Sequence, residues 1–530
     1  MRPEQLDSHL IKFDKVMLKA ARTATGQDFP EQSLSLRRLR LPRRLGGGMV
    51  RSAKDLARAA YVGGICQCVP SFTKSTDSDG VESEGFLDHL SHLYGRGSFD
   101  AGAETTRFKT LLEGGSILGD DLRKHCVKHF AHMCREAHGD IDRADMEDAS
   151  PFKLGPEGAG IVKGKVVGKA QHAFTRAREN ARATQIMEAL RAKLSAKDAT
   201  PSREEAAFLS INRLSVQFVG VPKMYRTVMD NTTFHEAWSV YMGTASPMCK
   251  KWVGTKFVDV FKRKRVVDIH GDNVGAAMLP GDGWRTRHDA LKWLLAQQAS
   301  WAMYQVQVEP NNIFLPWIQQ KEVFLREQNA RKRQGMIPDF LDIKRQAMLD
   351  VKGCSFCKTR YSAARFRNAQ TCNAVLLRQM QVHKDALRRA EKIDTMYNSW
   401  DKNSGSPGPM AQRLSNFGRV EGLVVGAHGE GSPDMLKFIS RIADRASQTR
   451  YRVMGFSSAR SAKSTVLNQI YLSIGIEAVR GMARLRIANL GAALAGSTST
   501  KAAAARRNRA RHLYYEQCQA YFARQCYYDI

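Results

Sequence analysis

The chain has 530 residues, with 82 Lys and Arg against 52 Asp and Glu, a formal net charge of +30. That balance points at a polyanionic partner. No apolar run approaches the ~18 residues that a membrane span needs, and the N-terminal region, with Glu4, Asp7 and Asp14, lacks the apolar stretch of a secretory signal. Ten cysteines scattered over this length read as reduced thiols rather than a disulfide framework. The expectation is therefore an intracellular protein, nuclear or cytoplasmic, of three or four modest domains, helix-rich because only 8% of its residues are aromatic.

In chain order, Pro3 to Thr23 predicts an amphipathic helix, followed by a Pro- and Arg-rich connector to Gly48 and a helix over Ser52 to Val62. Ser71 to Glu84 is a polar linker without periodicity. From Gly85 to about Met248 the signals are helical, with acidic and Gly-rich breaks near 139 to 168. Within that stretch Asp120-Asp121 precedes a helix start, where acids serve as caps. His125, His129 and His132 share one helical face near Cys134 and His138, a cluster that either holds a metal or is a polar helix surface. Arg287 to Met303 has Leu291, Leu294, Leu295 and Ala302 at helical spacing. Tyr304 to Glu309 then alternates like a strand and stops at Pro310.

Two further short strands follow, Ile337 to Leu341 and the run around Asp350-Val-Lys352, then a long basic helix over Ala363 to Met396. Asp401 to Pro409 is a loop, Gly418 to Gly426 a strand, Asp434 to Ala446 a helix, and the tail from Ser457 is helical, with Thr465 to Leu490 amphipathic. Helix, strand, strand, strand, helix, strand, helix fits a small mixed sheet flanked by helices.

Within this order Asp350 and Lys352 project from one side of a strand, because strands alternate faces with period two. If Ile337 to Leu341 pairs with that strand, Asp339 reaches the same side, and Glu309 stands at the end of the strand before. Two carboxylates and an ammonium so placed can hold a hard divalent cation through oxygen and place a water beside a phosphate. Asp-x-Lys also occurs in ordinary surface strands, and Pro-Asp in ordinary turns. Cys354 and Cys357, with Cys372 and His383 further on, are spaced too widely for a standard finger and read as a metal site or as plain thiols.

The order of elements with Glu309-Pro310, Arg333, Pro338-Asp339 and Asp350-Val351-Lys352 resembles the PD-(D/E)xK nuclease superfamily. The resemblance is closest to the restriction-enzyme-like endonuclease that follows reverse transcriptase in non-LTR (LINE-like) retrotransposons. Leu39 to Gly48 with Arg51 to Tyr61 resembles the segment after the polymerase palm. Asp268 to Asp272 with Gly281 to Arg285 and Arg287-His-Asp289 resembles the block before the nuclease, read as non-catalytic. Lys392 and Tyr397 lie where the family's long helix carries similar residues. The resemblance implies Asp339 and Asp350 as ligands of Mg²⁺ or Mn²⁺, Lys352 as the residue orienting the attacking water, and Glu309 as an assisting ligand. It implies an α/β nuclease core within a mainly helical, multidomain chain. The expected divisions are a post-palm helical remnant at 1–70, a helical linker region at 71–248, the nuclease at 249–447 and a basic tail at 448–530.

Departures from the family bear on function. No aromatic-x-Asp-Asp signature of a polymerase palm is present, so copying would need a separate reverse transcriptase. Of the zinc ligands many relatives carry before the nuclease, only Cys249 is present, and Asn273 stands at the His position. Residues 448 to 530 hold thirteen Lys and Arg against three acids. Arg506, Arg507, Arg509 and Arg511, with Arg331, Lys332 and Arg333 ahead of the site, are candidate phosphate contacts. Lys262 to Arg265 is a smaller cluster, equally readable as a solvated face, a nuclear-localisation patch or a phosphate contact. The expected activity is DNA strand nicking for retrotransposon integration, with RNA as a further possible partner. The alternatives are a non-catalytic nucleic-acid-binding remnant and an RNA-packaging protein.

Overall fold

The computed structural model describes residues 3–57, 60, 75–76, 82–83, 153–155, 158–160, 170–196, 199–220, 228–310, 313–331, 337–367 and 373–495. Asp120-Asp121, the His125 to His138 cluster, Lys332, Arg333, Cys372 and Arg506 to Arg511 lie outside these residues, as does the side chain of Arg331. The described chain is mostly helical and carries small sheets. It divides into two compact units, one of Met1–Ala21 with Arg37–Leu190 and one of Arg22–Leu36 with Arg191–Ile530.

In the first unit, Asp14 accepts from the Ala53 amide at 2.7 Å and from the Ser52 hydroxyl, while Glu179 takes Arg44 at 3.1 Å and Arg51 at 2.8 Å. The Gly-rich break expected near 139 to 168 contains a short antiparallel pair, Lys153–Gly155 with Gly158–Gly160.

The second unit holds a four-stranded sheet made of β1 (Val306–Val308), β2 (Phe340–Asp342), β3 (Ala347–Gly353) and β4 (Glu421–Val425), in spatial order β4-β3-β2-β1. β1–β2 and β2–β3 are antiparallel, and β3–β4 is parallel. A parallel neighbour requires a long crossover. Between β3 and β4 the chain runs through the helix α1 (Ala374–Tyr397), whose Asn373 cap accepts from the Leu376 amide at 2.9 Å. The long helix expected over 363 to 396 is thus Ala363–Arg367 followed by this separately capped α1.

Both faces of the sheet are covered. One packs Phe340, Leu349, Val351 and Leu423 against α2 (Gly283–Trp301), α3 (Pro433–Arg450) and α4 (Ala459–Leu494), through residues such as Leu295, Phe438, Ile442 and Ile470. The other packs Leu341, Met348 and Val424 against Val375 and Val382 of α1 and against Met410 and Leu414. Period-two alternation sorts these residues. Of β3, Leu349 and Val351 face α2, α3 and α4, and Met348 faces α1.

α4 begins at a Ser458 capping box and runs for 36 residues with both sides buried. A helix apolar all round belongs inside a core, and α4 supplies Val466, Ile470 and Ile474 to the same core as the sheet. The sequence expectation placed this stretch in a basic tail beginning at 448. Gly475 lets α4 approach closely, since a Cβ there would lie 2.4 Å from the Leu214 carbonyl oxygen. Lower on the helix, Arg486 reaches Glu236 and Asp272, each at 3.1 Å. Among the described residues no helix is long and apolar enough to cross a membrane.

Candidate metal centre

Phe340 pairs with Leu349, so the next position outward sets Asp339 opposite Asp350 where β2 and β3 part. The Asp339 carboxylate accepts from the Val351 amide at 2.7 Å, which fixes it across the end of the pair. Lys352, two residues beyond Asp350 on the same face, donates to Asp350 at 2.5 Å. The three residues expected to converge from period-two alternation therefore do so.

A fourth group comes from α2. His288, in the second turn of that helix, places Nε2 3.1 Å from Asp339 Oδ2 and Nδ1 3.1 Å from Asp289 Oδ1. His288, Asp339 and Asp350 offer one ligand atom each within 4.8 Å of one another, the only such group among the described residues. Burial works against a charged imidazole, yet the bonds to two carboxylates outweigh it and raise the His288 pKa to about 9.

The two central carboxylates split. Burial disfavours ionisation of both, but His288 and Lys352 hold Asp339 well below the usual carboxylate range. Asp350, half-buried beside the already ionised Asp339, is pushed up to about 6 despite Lys352. Two carboxylates forced together in this way share one proton below about pH 6, and a cation bound between them would favour its loss.

Glu309 lies apart from that group. It follows β1 in a left-handed conformation (φ 45°), strained for a residue with a Cβ, and its carboxylate accepts from Lys292. Lys292 is only 1% exposed and also lies 3.3 Å from Asp289. Glu309, Lys292, Asp289, His288 and Asp339 thus form a chain of alternating charge leading to the centre. The expectation of Glu309 as a direct ligand meets a different arrangement here: its partner is an ammonium.

Arg287 lies beside this chain, buried, with its guanidinium on the carbonyls of Cys354 and Gly426, each at 3.3 Å. It ties the ends of the parallel strands β3 and β4 to α2. A cleft of about 320 Å³ opens next to the centre, lined by Trp284, Arg285, His288, Lys352 and Glu477 among others.

His288, Asp289 and Lys292 belong to no expected site, and the block Arg287-His-Asp289 was read as non-catalytic. A signal was present: Lys292 sits between the core residues Leu291 and Leu295, and His288 and Asp289 precede it by four and three positions, on one helical face.

Cys354, Cys357 and His383 lie in described segments, while Cys372 does not. Cys354 is buried, which pushes its thiol up to about 11, and Cys357 contacts the Thr359 hydroxyl at 3.0 Å. His383 Nδ1 accepts from the Val420 amide at 3.4 Å.

The donor set fits a hard divalent cation. Mg²⁺ takes one or two carboxylates and keeps most of its waters, and Mn²⁺ also accepts imidazole. Asp339 and Asp350 supply the oxygens; His288 supplies a nitrogen or, protonated, holds Asp339 in place. Comparison with protein-family models, with curated proteins and with solved structures returned no match for this chain.

Proposed function

We propose that the chain is a metal-dependent DNA endonuclease of the PD-(D/E)xK kind, nicking a strand as retrotransposon nucleases do. The observation that carries this reading is the convergence of Asp339, Asp350 and Lys352 on one face of a sheet. Its strands follow α2 in the order β1, β2, β3, then α1, β4 and α3, with a further helix, Lys321–Arg331, between β1 and β2 and short helices on either side of α1. Asp339 and Asp350 would hold Mg²⁺ or Mn²⁺, which when bound neutralises charge on the phosphate and acidifies water.

The chain's own groups supply the rest. Lys352 carries donors beyond the one it gives to Asp350, and these orient a water for in-line attack. His288 and the Val351 amide lock the Asp339 carboxylate, so the site is ordered before substrate arrives. Glu309 acts through Lys292 and Asp289, holding α2 against the sheet end. The cleft beside Trp284 and Arg285 receives the strand flanking the scissile phosphate. The basic surface neutralises phosphates and makes binding salt-dependent. DNA is the assigned partner, RNA a second one, and a separate reverse transcriptase would supply polymerisation.

Cleavage of an end-labelled oligonucleotide tests this with Lys352→Met. That variant should keep Mn²⁺ binding and lose on the order of 10²–10³-fold in rate, the usual effect of removing one positioned catalytic donor. Salt-sensitive DNA binding with no metal-dependent cleavage by the wild-type chain would leave a non-catalytic nucleic-acid-binding protein.

A further inference from the structure

The cluster Lys262 to Arg265 lies in an exposed two-stranded ribbon remote in sequence from the acidic centre. Lys256–Val258 and Lys264–Val266 pair antiparallel, with Lys256 opposite Val266, Phe257 opposite Arg265 and Val258 opposite Lys264. Phe257 points inward to Val267, Val274, Leu279 and Leu490. Alternation then turns Lys256, Val258, Lys264 and Val266 outward, and all four are exposed. At the tip, Val260 is 51% and Phe261 61% exposed, and nearby Trp252 is 45% exposed.

The turn is rigidly made. Asp259 is buried and accepts from the amides of Phe261 and Arg263 at 2.9 and 3.0 Å, and from the Nε atoms of Arg263 and Arg265 at 2.8 and 3.1 Å. It is the one acid between Lys250 and Val266, against seven Lys and Arg. Its charge is used inside the turn, so the outer face is left positive. The Arg263 guanidinium covers one side of the Phe261 ring, 4.8 Å from its centroid.

Exposed apolar side chains interleaved with ammonium groups at alternate positions suit one ligand better than others. A duplex would engage the charges but offers few flat apolar faces. On the ribbon's outer face each exposed valine lies opposite a lysine, Val258 by Lys264 and Val266 by Lys256. The apolar patch that a protein partner would ask for is thus confined to the tip, Val260, Phe261 and the adjoining Met278. Unpaired nucleotides offer both: phosphates for Lys256, Lys262 and Lys264, and base faces for Phe261 and the valines.

We propose that this ribbon is a binding site for single-stranded nucleic acid, with Phe261 as the stacking platform and Lys256, Lys262 and Lys264 on the phosphates. The site is separate from the acidic centre and requires no metal. It would hold the strand left unpaired beside a nick, or RNA.

The test is fluorescence anisotropy of the full chain with a labelled single-stranded oligonucleotide and the matching blunt duplex, in EDTA, over a range of salt. Phe261→Ala should weaken the single strand about tenfold and leave the duplex within twofold. Lys262→Ala with Lys264→Ala should lower the slope of log K against log salt by about 1.4 for the single strand, two contacts at ~0.7 each. All these side chains are exposed, so a melting temperature equal to wild type checks folding. Single-strand affinity and slope unchanged in both variants would overturn the proposal. So would equal losses on single strand and duplex, or binding of anionic phosphatidylserine vesicles that depends on Phe261 while single-strand binding does not. Because divalent ions are absent, the result is independent of whether the chain cuts.

Discussion

Lys292 is the most heavily constrained cation of the centre, and its replacement gives a quantitative expectation. Lys292→Met keeps the length and apolar stem of the side chain between Leu291 and Leu295 but removes the charge shared by Glu309 and Asp289. Breaking one side of a buried ion pair costs about 3–5 kcal/mol, because the other charge is left without a partner in low dielectric. Here both orphans have relief. The Glu309 side chain is 48% exposed and can return to water, and Asp289 keeps His288 at 3.1 Å. The expected cost is therefore smaller, about 1–3 kcal/mol.

The whole chain is too large for one two-state transition, so hydrogen exchange of the α2 and β1 amides is the suitable assay. A double-mutant cycle with Glu309→Gln isolates the pair, with an expected coupling of about 1 kcal/mol. Additive effects, or a Lys292→Met variant as protected as wild type, would refute the view that Glu309 is held by Lys292.

Other expectations follow from the same geometry. Asp339→Asn removes the carboxylate fixed by His288 and the Val351 amide, and calorimetry should show Mn²⁺ affinity falling at least tenfold in a chain that still folds. Burial opposes ionisation of Glu421, but Arg441 at 2.7 Å and Arg345 at 2.8 Å lower its pKa from 4.5. Its stabilising contribution is thus present above pH 4.5 and fades as pH falls through the depressed folded value, and Glu421→Gln should flatten that acid limb in a melting-temperature profile. Gly475→Ala gains about 1 kcal/mol of helix propensity, yet its Cβ would meet the Leu214 carbonyl oxygen at 2.4 Å. Overpacking wins, and the thermal midpoint should drop.

The sheet is legible because its short strands write their alternation into the sequence, which puts Asp350 and Lys352 on one side of β3. Boundaries moved: the strand read over 337 to 341 is Phe340–Asp342, and Asp339 stands just outside it, where the strands part and its carboxylate can turn to the Val351 amide. His288 and Lys292 escaped notice because two polar residues in an amphipathic helix read as its solvent face, and only the tertiary packing of α2 on the sheet end buries Lys292 and half-buries His288.

The basic ribbon escaped for a different reason. Its inward pattern rests on Phe257 and few other apolar residues, and Lys-Arg-Lys-Arg hides the alternation. α4 reads as amphipathic over Thr465 to Leu490, but Leu472, Ile476 and Val479 on its other side are buried too. Burial on both sides depends on what surrounds the helix, which its own periodicity does not record.

The proposed endonuclease activity rests on Asp339 and Asp350 holding a divalent metal. Conversion of supercoiled plasmid to the open circle, with Mg²⁺ or Mn²⁺ and with EDTA, beside Asp350→Ala, tests it most directly. Nicking by the wild-type chain should require the metal and disappear in the variant. Nicking that persists in Asp350→Ala, or none by a folded wild-type chain with either metal, would contradict it.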